Sequence, residues 1–196
     1  MTLTRAIGIG SQFLLNRLVR ALSLARIHPN LLTALGLAIN IGAAILFGKG
    51  HFLAAGLVVF GAGVFDMVDG RVARASNTAT SFGAFFDSVV DRYSDMALYM
   101  GLLVYYARVG RFLYLILVAL VMAGSVMISY TRARAESLIP SCKVGFLERP
   151  ERIVLIIIGA VTDRMGPVLW IIAVLSNVTV VHRCIYTWRQ TQKEAA

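Results

Sequence analysis

Four aspartates, Asp66, Asp69, Asp87 and Asp91, stand close together in a stretch that is mostly apolar or small. A carboxylate taken out of water is costly unless a cation pairs with it, so four of them together imply bound cations. Their combined charge is what two divalent ions neutralise. An all-oxygen donor set favours two Mg²⁺ ions, with Mn²⁺ as the alternative, over zinc. At about 100° per residue, Asp66, Gly70 and Ala73 share one helical stripe, with Asp69 and Arg74 on its shoulders. Gly83, Asp87 and Asp91 follow one another at i, i+4 on a second helix. The small polar run ASNTATS between them returns the chain antiparallel, so the two acidic stripes face each other. Gly70 and Gly83, lacking Cβ atoms, let a flat or bulky ligand approach the backbone beside the metals.

The elements that must hold these stripes are membrane helices. A chain of 196 residues with 58% hydrophobic content and a mean hydropathy of +0.76 is too apolar for a soluble domain. The net charge of +9 resides mostly in residues that flank apolar segments, which points to a membrane and excludes a nucleic-acid partner. Six such segments run roughly over 31–48, 52–74, 82–107, 111–135, 151–162 extended to either side, and 167–187, each near the ~20 residues that cross a bilayer core. The fifth is the shortest, with Asp163 soon after Val161.

Residues 1–28 lack the features of a signal peptide, and Phe13, Leu14, Leu18 and Leu22 alternate with Arg17, Arg20 and Arg26 as on a surface helix lying against anionic lipid. The expected fold is therefore an all-α integral membrane protein: six transmembrane helices with an N-terminal amphipathic surface helix. Residues 1–28 are the juxtamembrane helix, 29–190 the six-helix catalytic domain and 191–196 a C-terminal tail. With both termini inside, fourteen lysines and arginines face the cytoplasm against Lys49, Arg108, Arg111 and Arg164 outside. That bias puts the aspartates near the cytoplasmic face of the cell (inner) membrane in a multi-pass protein.

Other residues admit two readings. Pro29, Asn30 and Thr33 fit a helix start and its cap, or the mouth of a ligand site. Arg92 and Asp95, at i, i+3, can pair with each other and orient the metal site from behind. Arg132 and Arg134, then Arg149 and Arg152, sit at the cytoplasmic ends of neighbouring spans beside Glu136, Glu148 and Glu151. They are either ordinary positive-inside decoration or a fork of donors for a phosphate. Arg183 either completes that pocket or anchors the last span. Cys142 and Cys184 show no metal-ligand spacing, a disulfide is not expected, and Gly36 and its fellow span glycines need only a packing explanation.

The residues read DxxDGxxAR(x8)GxxxDxxxD from Asp66 to Asp91 without departure. This resembles the signature of the CDP-alcohol phosphotransferases, integral membrane enzymes of phospholipid biosynthesis. The resemblance implies two metals bridged by Asp66 and Asp87, with Asp69 completing one and Asp91 bordering the other and acting as general base. It implies CDP-diacylglycerol as the lipid donor, contacted by Arg74, Gly70, Ala73, Gly83 and Thr80, and by Pro29, Asn30 and Thr33 of a Pro-Asn-x-x-Thr element. The arginine blocks resemble those of the phosphatidylinositol phosphate synthase branch. There a basic pocket, here Arg132, Arg134, Arg149, Arg152 and Arg183, receives the phosphate of inositol phosphate; the first position is commonly lysine in that branch. Surrounding membrane lipids and a homodimer are also implied. Inositol, glycerol 3-phosphate or serine remain alternative acceptors. From another class, a cation transporter would also use intramembrane aspartates, although ion binding alone does not require DG and AR at fixed positions.

Overall fold

The computed structural model describes residues 29–75 and 80–194, with side chains over the same ranges apart from 29, 65, 67–75 and 194. The expected surface helix over 1–28, most of the turn between the two acidic helices and the last two residues lie outside the described residues. Six helices make up the described chain: α1 (Pro29–Lys49), α2 (Phe52–Ala75), α3 (Ser81–Arg108), α4 (Phe112–Ala135), α5 (Arg149–Val161) and α6 (Met165–Glu194). No strand occurs among the described residues.

Local chemistry sets most helix ends. After α1, Gly50 takes the left-handed φ of +85°; its N–H bonds Phe47 O at 2.9 Å and that of His51 bonds Leu46 O at 2.9 Å. Gly110, at φ +68°, closes α3 in the same way. Both are double-bonded helix stops that need a residue without a Cβ penalty. Thr80 caps α3, its Oγ1 accepting the Gly83 N–H at 2.9 Å. At α5, Pro150 occupies the first turn and the Glu151 carboxylate accepts the Glu148 N–H at 3.0 Å.

Three helices, Asn30–Lys49, Phe112–Ala135 and Met165–Lys193, are long and apolar enough to cross a membrane, and Phe52–Val64 is a shorter apolar helix. The six-fold expectation thus holds for helices, while apolar length distinguishes fewer. The reason lies in the acidic stripes. The second half of α2 carries Asp66, Asp69, Arg71 and Arg74, and α3 up to its middle carries Asp87, Asp91, Arg92 and Asp95. Helix α5 has 13 residues, or about 20 Å, because the Glu148–Pro150 start and the left-handed Asp163 bracket it. Helix α6 continues to Glu194, past the expected domain boundary at 190.

Packing follows the chain: α1 lies against α2 and α3, α3 against α4, α4 against α6, and α5 bridges α2 and α6. Phe47, Leu98, Tyr99, Leu102, Val118, Val121, Ile156, Leu169 and Ile172 form the fully buried centre. Large apolar side chains also cover the outside, among them Leu57, Phe60, Leu113, Leu120, Val174 and Val181. An apolar exterior around a packed interior is what a lipid solvent selects.

Candidate active site

The ends of α1, α2, α3 and α5 converge. A Cβ placed on Gly83 would stand 3.1 Å from Thr80 Oγ1 and 3.4 Å from Asn30 Oδ1, so the starts of α1 and α3 are neighbours. Six residues further along α1, a Cβ on Gly36 would stand 3.2 Å from Asp66 Oδ1 of α2. Sequence reasoning assigned Gly36 to packing alone. Its contact with a signature aspartate depends on tertiary register and leaves no local mark. Asn40, buried, donates to Gly36 O at 3.0 Å and stiffens this stretch. Thr33 is buried on the same helix.

Asp66 and Asp91 meet at a single atom. Arg149 Nη1 lies 3.0 Å from Asp66 Oδ2 and 2.9 Å from Asp91 Oδ1, while its Nε lies 3.3 Å from Asp95 Oδ1. One guanidinium from α5 therefore joins the two acidic helices. Asp87, a turn before Asp91, is exposed and within the electrostatic reach of Asp66 and Arg149. The backbone of α2 carries Asp69, Gly70, Ala73 and Arg74, whose side chains lie outside the described residues, as does that of Pro29.

Asp95 belongs to this assembly, and not in the expected way. The local Arg92–Asp95 pair does not form: Arg92 Nη1 donates to Ser88 O on its own helix. Asp95 is buried and turns toward the bundle interior, where Arg152 Nη2 approaches Oδ2 at 2.7 Å and Ser125 Oγ donates to it at 3.2 Å. A guanidinium with no water to turn to outcompetes one that can reach solvent. The signal in the sequence was the stripe itself, since Asp87, Asp91 and Asp95 continue at i, i+4.

The arginines separate into three groups. Arg149 and Arg152 attend the aspartates. Arg132 and Arg183 share Glu148, with Arg132 Nη1 3.2 Å and Arg183 Nη2 3.5 Å from its Oε1. Arg183 is buried and also donates to Val144 O at 2.8 Å and to Ile128 O, tying the 136–148 loop to α4 and α6. Arg132 is partly exposed and makes a second pair with Glu136 at 3.2 Å. Hydrogen bonds from Arg132 and the Cys142 N–H outweigh the effect of burial and hold the Glu136 carboxyl below its usual range. Arg134, two residues on and so on another face of α4, is exposed and donates to Ser137 Oγ at 3.1 Å.

A cavity of about 350 Å³ borders the site between α2 and α5. Asp66 and Arg149 line it together with apolar Phe60, Val64, Ile153 and Ile157. Among the described residues no three His, Cys, Asp or Glu groups gather tightly enough to hold a metal. Yet Asp66 and Asp91 already present oxygens to one cationic nitrogen, and both are the hard donors that Mg²⁺ and Mn²⁺ take. The donor set fits a divalent cation.

An all-helical membrane protein whose carboxylates are gathered on adjoining helix ends defines a class, and the chain belongs to it by sequence: it is a member of the CDP-alcohol phosphatidyltransferase family, matching that family's model over residues 26–182. It is 37% identical over 178 residues to the phosphatidylinositol phosphate synthase of Mycobacteroides abscessus, covering 86% of this chain and 80% of that protein. It is 33% identical to the archaetidylinositol phosphate synthase of Methanothermobacter thermautotrophicus, covering 81% of this chain and 82% of the relative. Among solved structures, it resembles the phosphatidylinositol phosphate synthase of Mycobacterium tuberculosis with CDP-DAG bound, at a TM-score of 0.83 and 33% identity, over 89% of this chain and 93% of the other. The same M. tuberculosis enzyme in complex with manganese and citrate gives a TM-score of 0.80 at 32% identity, over 89% and 88% of the two chains.

Proposed function

We propose that this chain transfers the phosphatidyl group of CDP-diacylglycerol to a hydroxyl of inositol phosphate and releases CMP. The observation that carries the reading is the convergence of Asp66 and Asp91, from two helices, on one cationic position beside an apolar cavity. A headgroup bearing several phosphates needs the cations, and its acyl chains need the apolar wall of Phe60, Val64, Ile153 and Ile157.

Asp66, Asp69, Asp87 and Asp91 would hold two Mg²⁺ ions, or Mn²⁺ in their place. Bound there, the ions neutralise the pyrophosphate and the charge that develops on the leaving CMP. Asp91 takes the proton of the acceptor hydroxyl. The freed oxygen forms a bond to the lipid-bearing phosphorus, and the bond from that phosphorus to the CMP oxygen breaks. Gly83 and Gly70 leave room for the cytidine, with Asn30, Thr33, Pro29, Ala73, Arg74 and Thr80 around it. The acceptor phosphate lies against Arg132 and Arg149, while Arg134, on another face of α4 and bonded to Ser137, stands outside that pocket. Arg152 and Arg183, both buried, support that pocket from behind.

Six crossings, with both termini and the site on the cytoplasmic side of the cell membrane, complete the proposal. The excess of lysine and arginine on that side supports them. The domain division into 1–28, 29–190 and 191–196 is carried by the hydropathy and charge pattern, with α6 itself running on to Glu194, and assembly as a homodimer by the family resemblance. The test is CMP release by purified protein given CDP-diacylglycerol and Mg²⁺, with inositol phosphate, inositol, glycerol 3-phosphate and serine offered separately and Asp91→Asn as control. Release with inositol phosphate, lost in the control, is the expected result. Release with another acceptor alone would sink the acceptor assignment and keep the aspartate chemistry.

A further inference from the structure

Another cavity lies at the end of the bundle away from the carboxylates. Helices α1 and α3 run parallel: their starts meet at Asn30 and Gly83, they cross at Ala44 and Gly101, and they finish side by side at Lys49 and Arg108. Toward that finish a cavity of about 440 Å³ opens between them. Its floor is low because Ala44, Gly48 and Gly101 carry a methyl group or no side chain at all. Its walls are Ile45, Met100 and Val104, all exposed to the exterior. From Ile41, at its inner end, to Lys49, α1 advances about 12 Å, close to the ~15 Å of one leaflet in a ~30 Å hydrocarbon core.

The mouth of this groove is cationic, at the end of the bundle where lysine and arginine are few. Arg108 Nη1 donates to Gly48 O at 3.0 Å, which brings the guanidinium across from α3 and satisfies a carbonyl in the last turn of α1. That bond occupies one N–H of the fork. Among the described residues neither Arg108 nor Lys49 has a carboxylate partner. We propose that the groove binds one anionic diacyl phospholipid, an acyl chain lying along it and the phosphate between Lys49 and Arg108. Lipid tails are as apolar as the groove, so the chain alone gives little preference, and selection falls to the headgroup. A zwitterionic headgroup brings its own cation beside the phosphate, whereas a net negative one complements both side chains, as in other basic clefts between membrane helices. The bound lipid packs along the Ala44–Gly101 crossing and stabilises α1 against α3. It lies apart from the cavity beside Asp66 and Arg149 and does not depend on the reaction proposed above.

The experiment places the full chain in nanodiscs of phosphatidylcholine, alone or mixed with phosphatidylglycerol, at low salt. It compares thermal midpoints for wild type, Lys49→Gln/Arg108→Gln and Val104→Trp, and follows the size of each protein in detergent by gel filtration. Wild type should melt about 5 °C or more higher with phosphatidylglycerol, the shift for a site filled well above its Kd in a chain of this length. Each variant is compared with itself in the two lipids, so a general loss of stability cancels. The charge variant should lose the difference. Val104→Trp keeps both cations and fills the groove from an exposed wall, and it should lose the difference too. Should the charge variant fail to fold, Lys49→Gln alone replaces it and should lose most of the shift. No shift in wild type would overturn the proposal. A shift retained by the charge variant would place the lipid elsewhere, the carboxylate site included, and one retained by Val104→Trp would leave surface attraction without a groove; either result overturns it. A change of size on Val104→Trp would make the groove a contact between two copies and overturn the lipid assignment.

Discussion

Gly101 of α3 crosses Ala44 of α1 so closely that a Cβ on the glycine would stand 2.2 Å from the Ala44 carbonyl oxygen. The two backbones touch, as small residues allow in membrane helices. The same crossing sets how the far ends of these helices meet, at Asn30 and Gly83. Gly101→Ala should therefore destabilise the protein by about 1–3 kcal/mol, the usual cost of overpacking. Thermal unfolding in detergent checks this, and an unchanged midpoint would mean that the helices do not approach as described.

Thr80 illustrates a residue whose structural part can be measured alone. Its hydroxyl oxygen caps α3 by accepting the Gly83 N–H at 2.9 Å. Thr80→Ala should cost about 1 kcal/mol, and Thr80→Ser should restore most of it. If Ser restores the midpoint but not the KM for CDP-diacylglycerol, the threonine methyl contributes to the donor site.

Arg132 offers the opposite separation. Its pairs with Glu136 and Glu148 involve side chains that are about one-third to one-half exposed, and such pairs contribute little to stability, about 0–1 kcal/mol. Arg132→Gln should leave the thermal midpoint nearly unchanged and raise KM for inositol phosphate about tenfold or more, consistent with loss of one charge-assisted contact. Parallel melts and initial-rate assays decide it. A large fall in the midpoint would move Arg132 from the acceptor site to the scaffold.

Removal of divalent ions should abolish turnover. Treatment with EDTA is expected to stop CMP release, and added Mg²⁺ or Mn²⁺ to restore it, whereas Zn²⁺ should restore less because the donors are all carboxylate oxygens. Undiminished release in excess chelator would contradict the role given to Asp66, Asp69, Asp87 and Asp91.

Much of this fold was legible because its punctuation is local. Gly50, Gly110 and Pro150 mark helix ends through their own backbone preferences, and the six apolar segments fall on six helices with ends shifted by one or two residues except the last, which runs on to Glu194. The acidic stripes were legible for the same reason, since helical spacing alone puts Asp87 and Asp91 on one face. Partners distant in the chain were not. Asp95 was matched with Arg92, the nearest cation in sequence, when the ones it meets are Arg149 and Arg152, 54 and 57 residues away. Nor does sequence distinguish the exposed Arg134 from the buried Arg183, since both are arginines near a span end and only the folded 136–148 loop covers one of them.

The bond between Arg149 and Asp66 joins residues 83 positions apart, and this has a bearing on how the protein is made. Synthesis places the acids of α2 and α3 long before α5 exists to answer them. Until then, Asp66, Asp91 and Asp95 have none of the α5 guanidinium groups that hold them in the finished molecule. Arrival of α5 closes the gap at one stroke, with Arg149 and Arg152 engaging all three. A chain cut short before residue 149 would keep its acids and lose those partners, so the same contact that organises the site also separates a finished molecule from an unfinished one.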